Sequence, residues 1–192
     1  KQYFIELHKN FCSGIELENF SPKVQAATQN FLNSSRFEEL KEIVYKNDNF
    51  IVEPGGYGES RLGNLKIYAK MDCLYQDQDK LTIIDWKTGK ERSEEHNNQL
   101  LAYCAAAQNC LEIPPARIEA VAAYTFPSYK EKMLTPSPDR IEDFTHKIGQ
   151  QTEEMYAYCK DIPNNIPLPK ENFPKLNHGA FCKHCNFEEL CT

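Results

Sequence analysis

The sequence predicts an α/β domain, a mixed sheet flanked by helices. Three observations carry that expectation. Apolar residues at helical spacing run through the first fifty positions. Strand-like apolar runs lie between Leu65 and Trp86 and again at Ile118 to Phe126. Long helical stretches separate and follow them, which implies a sheet covered by helices. The 192 residues, 41% hydrophobic and 26% charged, suffice for one ordinary core and exclude a disordered chain, a collagen or a coiled coil. No run of about 18 apolar residues reads as a transmembrane helix.

In chain order, residues 1–13 read as a helix, with Phe4, Leu7, His8 and Phe11 at helical spacing. Ser21 before Pro22 is a cap followed by proline at the first helical position, predicting a helix to about Leu32. Phe37, Leu40 and Val44 predict a third helix. The stretch from Pro54 to Asn64 holds Gly55, Gly56, Gly58 and Gly63 and reads as a connection between strands. It lacks the Lys-Ser/Thr ending of a phosphate-cradling loop, so it receives no nucleotide role. Strands are expected over Leu65 to Leu74 and Leu81 to Trp86, joined as a hairpin by the short Gln76-to-Lys80 turn. An alanine-rich helix fits Ser93 to Cys110, and strands fit Ile118 to Phe126 and the surroundings of Met133. A last helix fits Asp139 to Cys159, with Ser137 as cap and Pro138 at its first position. Pro163, Pro167, Pro169 and Pro174 mark a strap leading to the tail. The expected organisation is a core over 1–161, with a strap and cysteine tail over 162–192 packing on it.

The 28 acidic and 22 basic residues give a net charge of −6. That excludes a nucleic-acid coat protein on bulk charge. It leaves a local cationic track, or a divalent metal, as the route to a polyanion. Lys1 to Glu6 carry neither a signal pattern nor an initiating Met, which predicts a cytoplasmic domain cut or processed from a longer protein.

The eight cysteines do not read as a disulfide framework, because a chain of this length builds its own core. Cys73, Cys104, Cys110 and Cys159 stand singly in apolar contexts and read as small buried hydrophobes. Cys182, Cys185 and Cys191 have metal- or cluster-ligand spacing. A fourth ligand would come from Cys12, His178, His184 or a residue upstream; three reduced surface cysteines are the plain alternative.

The most informative stretch is Leu81-Thr82-Ile83-Ile84-Asp85-Trp86-Lys87-Thr88-Gly89. Charge at the end of an apolar central strand is costly unless it faces a cleft or a metal. Strand period two puts Asp85 and Lys87 on one face and Trp86 on the other. Asp72, in the expected hairpin partner, can lie beside Asp85. Two carboxylates and a lysine suit one or two Mg²⁺ or Mn²⁺ ions acting on a phosphodiester, with the lysine orienting the attacking water. An ordinary Asp–Lys ion pair on an exposed hairpin is the alternative for Asp85 and Lys87 alone.

Asp72 and the strand ending Asp85-Trp86-Lys87 resemble the PD-(D/E)XK nuclease pattern, and the following Thr-Gly is similar to its RecB-like branch. Gln99-Leu100-Leu101-Ala102-Tyr103 matches the Gln-x-x-x-Tyr motif of RecB-like exonucleases, two residues that share a helix face. The late cysteines resemble those of iron–sulfur members such as the AddB nuclease domain and CRISPR-associated exonucleases. The resemblance implies a restriction-endonuclease-like core and a metal-dependent DNA nuclease, exonucleolytic, in repair or recombination. It implies Asp72, Asp85 and the Trp86 backbone carbonyl as metal ligands, His8 as a further one, Lys87 as the catalytic lysine, and Gln99 and Tyr103 as substrate-binding. It also implies a four-iron four-sulfur cluster on Cys182, Cys185, Cys191 and Cys12, with Zn²⁺ the alternative. Lys66, Lys70, Lys90 and Arg92 flank the expected site, and Tyr57, Tyr68 and Tyr103 could stack on bases; a solvated face with core aromatics is the alternative for each residue. So thin a DNA track implies a helicase or other domains of a longer parent to deliver substrate. A non-catalytic nucleic-acid or protein-binding module that kept the fold is the rival from another class, and a structural zinc protein a third.

Overall fold

The computed structural model describes residues 21–46, 50–52, 60–62 and 65–173. Two helices open it, α1 (Ser21–Leu32) and α2 (Ser35–Lys46). Strands β1 (Phe50–Val52), β2 (Ser60–Leu62), β3 (Leu65–Ile67), β4 (Cys73–Asp77) and β5 (Lys80–Lys87) follow. Then come α3 (Ser93–Leu111), β6 (Ile118–Tyr124), β7 (Lys130–Leu134), α4 (Pro138–Tyr156), β8 (Cys159–Asp161) and β9 (Ile166–Pro167). The chain divides into two compact units, one through Thr145 and one from His146.

The main sheet has the order β1-β4-β5-β6-β7. Only β5 and β6 run parallel; the other neighbours are antiparallel. A parallel pair needs a crossover, and α3 supplies it. The sheet is therefore mixed and flanked by helices, as expected. The β4–β5 hairpin is tighter than the sequence suggested: Asp77 pairs with Lys80, and Gln78 takes a positive φ of 52° in the two-residue turn.

Strand β5 lies centrally and is buried from Leu81 to Asp85. One face of the sheet carries Cys73, Tyr75, Ile84, Val121 and Ala123, packed with Leu40 and Ile43 of α2. Trp86 belongs to this face, edge-on to Phe31 of α1 at 4.8 Å. The opposite face carries Ile83, Asp85, Ala120 and Ala122, and receives α3 through buried Leu100, Tyr103, Cys104 and Ala107. Small side chains on both surfaces let helix and sheet approach closely. At the other end, the Arg140 amide donates to Ser137 Oγ at 3.3 Å, which makes Ser137 the expected cap of α4.

Three expectations are corrected. The single strand expected over Leu65 to Leu74 is two, because Tyr68–Asp72 run without a ladder partner although burial alternates through them. The last helix stops at Tyr156, and Cys159 lies in β8, half-buried. Cys110 is exposed, because it lies in the final turn of α3 beyond the stretch that covers the sheet. Cys73 and Cys104 are buried, and burial pushes each thiol up to about 12. The native protein treated with iodoacetamide will therefore carry the label on Cys110 and not on Cys73 or Cys104, read by peptide mass mapping.

Candidate active site

The hairpin register pairs Cys73 with Ile84, so continuing it by one residue sets Asp72 opposite Asp85. Asp72 lies in a bend immediately before β4 rather than inside the strand. Its Oδ2 accepts the Trp86 amide hydrogen at 2.8 Å, which fixes the carboxylate against the end of β5.

Asp85 is almost wholly enclosed, with 4% of its side chain accessible. Its Oδ1 receives Tyr103 OH at 3.0 Å and Gln99 Nε2 at 3.3 Å. Its Oδ2 abuts the Lys87 ammonium as an ion pair, and among the described residues no other donor reaches it. Lys87 in turn donates to Gln99 Oε1 at 2.6 Å. The Gln99 amide thus has its oxygen on the lysine and its nitrogen on the carboxylate, so one side chain ties the pair together. Gln99 Nε2 also donates to Tyr103 OH at 2.7 Å, and that hydroxyl reaches the Lys70 carbonyl at 2.8 Å. Burial, then Asp85, holds the Tyr103 phenol well above its ordinary range, so it remains a donor. Helical spacing of four delivers Gln99 and Tyr103 to the same place. The Tyr103 ring is buried, which selects the core aromatic over the stacking ring for this position; Tyr68 is exposed.

A family model of the PD-(D/E)XK nuclease superfamily matches residues 5–192. This chain belongs to that superfamily. Members of the PD-(D/E)XK superfamily are generally metal-dependent nucleases and typically use Mg²⁺ or Mn²⁺. The match stops at the superfamily and does not select its RecB-like branch. No curated protein matches this chain. Among solved structures, the crystal structure of SSO0001 is similar over 90% of this chain and 78% of that one, with 16% identity and a TM-score of 0.44.

For a PD-(D/E)XK metal, the donor chemistry fits. Asp72 and Asp85 are hard oxygen donors side by side, and among the described residues the buried Asp85 Oδ2 faces the Lys87 ammonium and no other donor. Among the described residues, no group of three or more His, Cys, Asp and Glu is placed to hold a metal. Two carboxylates are the usual protein share for Mg²⁺, with water and substrate phosphate completing the shell. His8, Cys12, Tyr57, His178, Cys182, His184, Cys185 and Cys191 lie outside the described residues.

Sequence reasoning missed two neighbours. His96 of α3 stands one turn before Gln99, and Tyr124 ends β6 beside Lys87. Tyr124 OH and His96 Nδ1 are 2.5 Å apart. The Arg92 amide hydrogen points at the same nitrogen at 3.4 Å, which makes Nδ1 the acceptor. Burial, then the Lys87 ammonium, lowers the His96 pKa, in keeping with a neutral ring. The three-residue spacing of His96 to Gln99 was the available signal.

Tyr103→Phe tests the Asp85 clamp. It removes the one hydroxyl hydrogen that Asp85 Oδ1 and the Lys70 carbonyl share. Stability will fall by about 1–3 kcal/mol, read by urea unfolding. Any nucleic-acid cleavage will slow by roughly ten-fold, read by product release from labelled DNA.

Proposed function

We propose that this chain is a metal-dependent deoxyribonuclease of the RecB-like branch, acting as an exonuclease in DNA repair or recombination. The observation that carries this reading is the clamp on Asp85: a buried carboxylate paired with Lys87 and spanned by Gln99, with Asp72 opposite. An exposed structural ion pair has no need of that enclosure. A divalent metal held by Asp72, Asp85 and the Trp86 backbone carbonyl would polarise the phosphodiester and acidify a bound water. Lys87 positions that water and offsets charge as the bond breaks. Gln99 and Tyr103 act by orienting Asp85 and Lys87 toward the substrate. Iron–sulfur ligation by Cys182, Cys185, Cys191 and Cys12 belongs to the same reading and is checked by colour, brown for a cluster and colourless for zinc. Delivery of DNA by a helicase or another domain of a parent chain fits the net charge of −6.

The test is cleavage of end-labelled single- and double-stranded DNA with Mn²⁺, beside Lys87→Ala. Loss of label that needs both the metal and Lys87 supports the nuclease. A second reading, a binding module that kept the fold, draws on the Lys87 ammonium being engaged by both Asp85 and Gln99. Retained binding with intact DNA throughout would select it.

A further inference from the structure

The face of the sheet that carries Asp85 and Lys87 continues across two more strands. Register places Asp85 beside Ala122, and Ala122 beside Lys132; it places Lys87 beside Tyr124, and Tyr124 beside Lys130. Cross-strand partners share a face, and strands lie about 4.8 Å apart, so Lys132 and Lys130 stand roughly 10 Å from the two site residues. That is the distance of a phosphate one or two nucleotides along a bound strand.

Both lysines converge on one carboxylate. Lys130 Nζ meets Glu91 Oε2 at 2.8 Å, and Lys132 pairs with Glu91 Oε1. Ser93 Oγ, at the first residue of α3, donates to Glu91 Oε1 at 2.9 Å and accepts from Lys132 at 2.9 Å. Two ammonium groups and a hydroxyl around one anionic head make the donor set that receives a phosphate. Glu91 is an exposed residue on the short connection between β5 and α3, so it can leave without disturbing either element.

We propose that Lys130, Lys132 and Ser93 form a subsite for a nucleic-acid backbone phosphate beside the active site, and that Glu91 fills it until the nucleic acid displaces it. The inference rests on the nuclease reading above and adds where the strand leaves the site. The three donors hold the Glu91 carboxyl down at about 2, so it stays charged at working pH, and a competing phosphate rather than a proton must remove it.

The test is binding of a labelled single-stranded DNA oligonucleotide by fluorescence anisotropy, in chelator, across a salt series. Glu91→Gln is expected to tighten binding roughly 3- to 10-fold, the range that two exposed ion pairs cover. Adding Lys130→Gln and Lys132→Gln to that variant should abolish the gain and flatten the slope of log affinity against log salt by about 1.4. Unchanged binding by Glu91→Gln overturns the proposal. So does a gain that persists without the lysines, since that is general relief of repulsion. Cleavage lost in Lys87→Ala alongside either of those results leaves the nuclease standing. Absence of Lys87-dependent cleavage overturns the nuclease instead, and a lysine-dependent gain would then place the subsite on a binding module.

Discussion

On the proposed nuclease reading, Lys87→Ala lowers metal-dependent cleavage of DNA roughly 10²–10⁴-fold, while the protein stays folded. The size follows from what the ammonium touches. It is the cation against Asp85 Oδ2, an oxygen that no other described donor reaches, and it holds the oxygen of Gln99. Without it, the buried carboxylate keeps Tyr103 and Gln99 but loses its counter-charge, and the water loses its guide. Folding survives because Oδ1 keeps both donors and because 19% of the Lys87 side chain reaches solvent. The measurement is release of label in Mn²⁺ beside a far-ultraviolet spectrum of the variant. Cleavage at the unaltered rate would remove Lys87, and with it the assignment of the site.

The largest effect on stability is expected on the other face. Arg36 is buried, with 8% of its side chain accessible. It makes a two-pronged bridge to Glu131, Nε to Oε1 at 2.9 Å and a second nitrogen to Oε2 at 2.8 Å. It also donates to Tyr75 OH and Glu39 Oε2, both at 2.9 Å. Tyr129 OH adds a second donor to Glu131. Burial would raise the Glu131 carboxyl, yet the Arg36 and Tyr129 hydrogen bonds hold it below its ordinary value. Arg36→Met keeps the volume and leaves Glu131 half-buried without its cation. The expected loss is about 3–5 kcal/mol, or roughly 6–20 °C in Tm for a chain of this size. Converting Glu131 to leucine in the same variant should recover much of it. The sign with pH follows. A depressed carboxyl stabilises above its unfolded value of about 4.3, and that stability is lost as pH falls through the folded value. The gap in Tm between the native chain and Arg36→Met will therefore hold from neutrality down to about pH 4.3 and close only below it.

Those two faces were not equally legible. The β5 strand, the helix that follows it and the mixed sheet could be read because each is a local pattern: apolar run, alanine-rich stretch, Asp-x-Lys. The Gln99–Tyr103 pair was legible because four residues make a helix face. The Arg36 network was not, since Tyr75 and Glu131 are distant in sequence and no spacing links them to α2. Asp72 was placed one residue too deep, because the alternation from Leu65 to Met71 reads as strand although Tyr68–Asp72 lack a ladder neighbour. Whether Tyr103 is a stacking ring or a core aromatic is not legible in the sequence, because periodicity gives a face and not a depth; the ring is buried.

The parallel pairing of β5 with β6 also sets a sequence of events. The β4–β5 hairpin closes through a two-residue turn and needs only neighbours. The pairing of Lys87 with Tyr124 must wait for the whole of α3, and contacts of such separation form late. A nascent chain that has not reached Ile118 has Asp85 and Lys87 but no β6 for α3 to settle beside. The carboxylate would still be wet, the glutamine unseated, and the lysine ledge of β7 not yet made. The residues of the proposed site then come together in one step with the closing of the sheet.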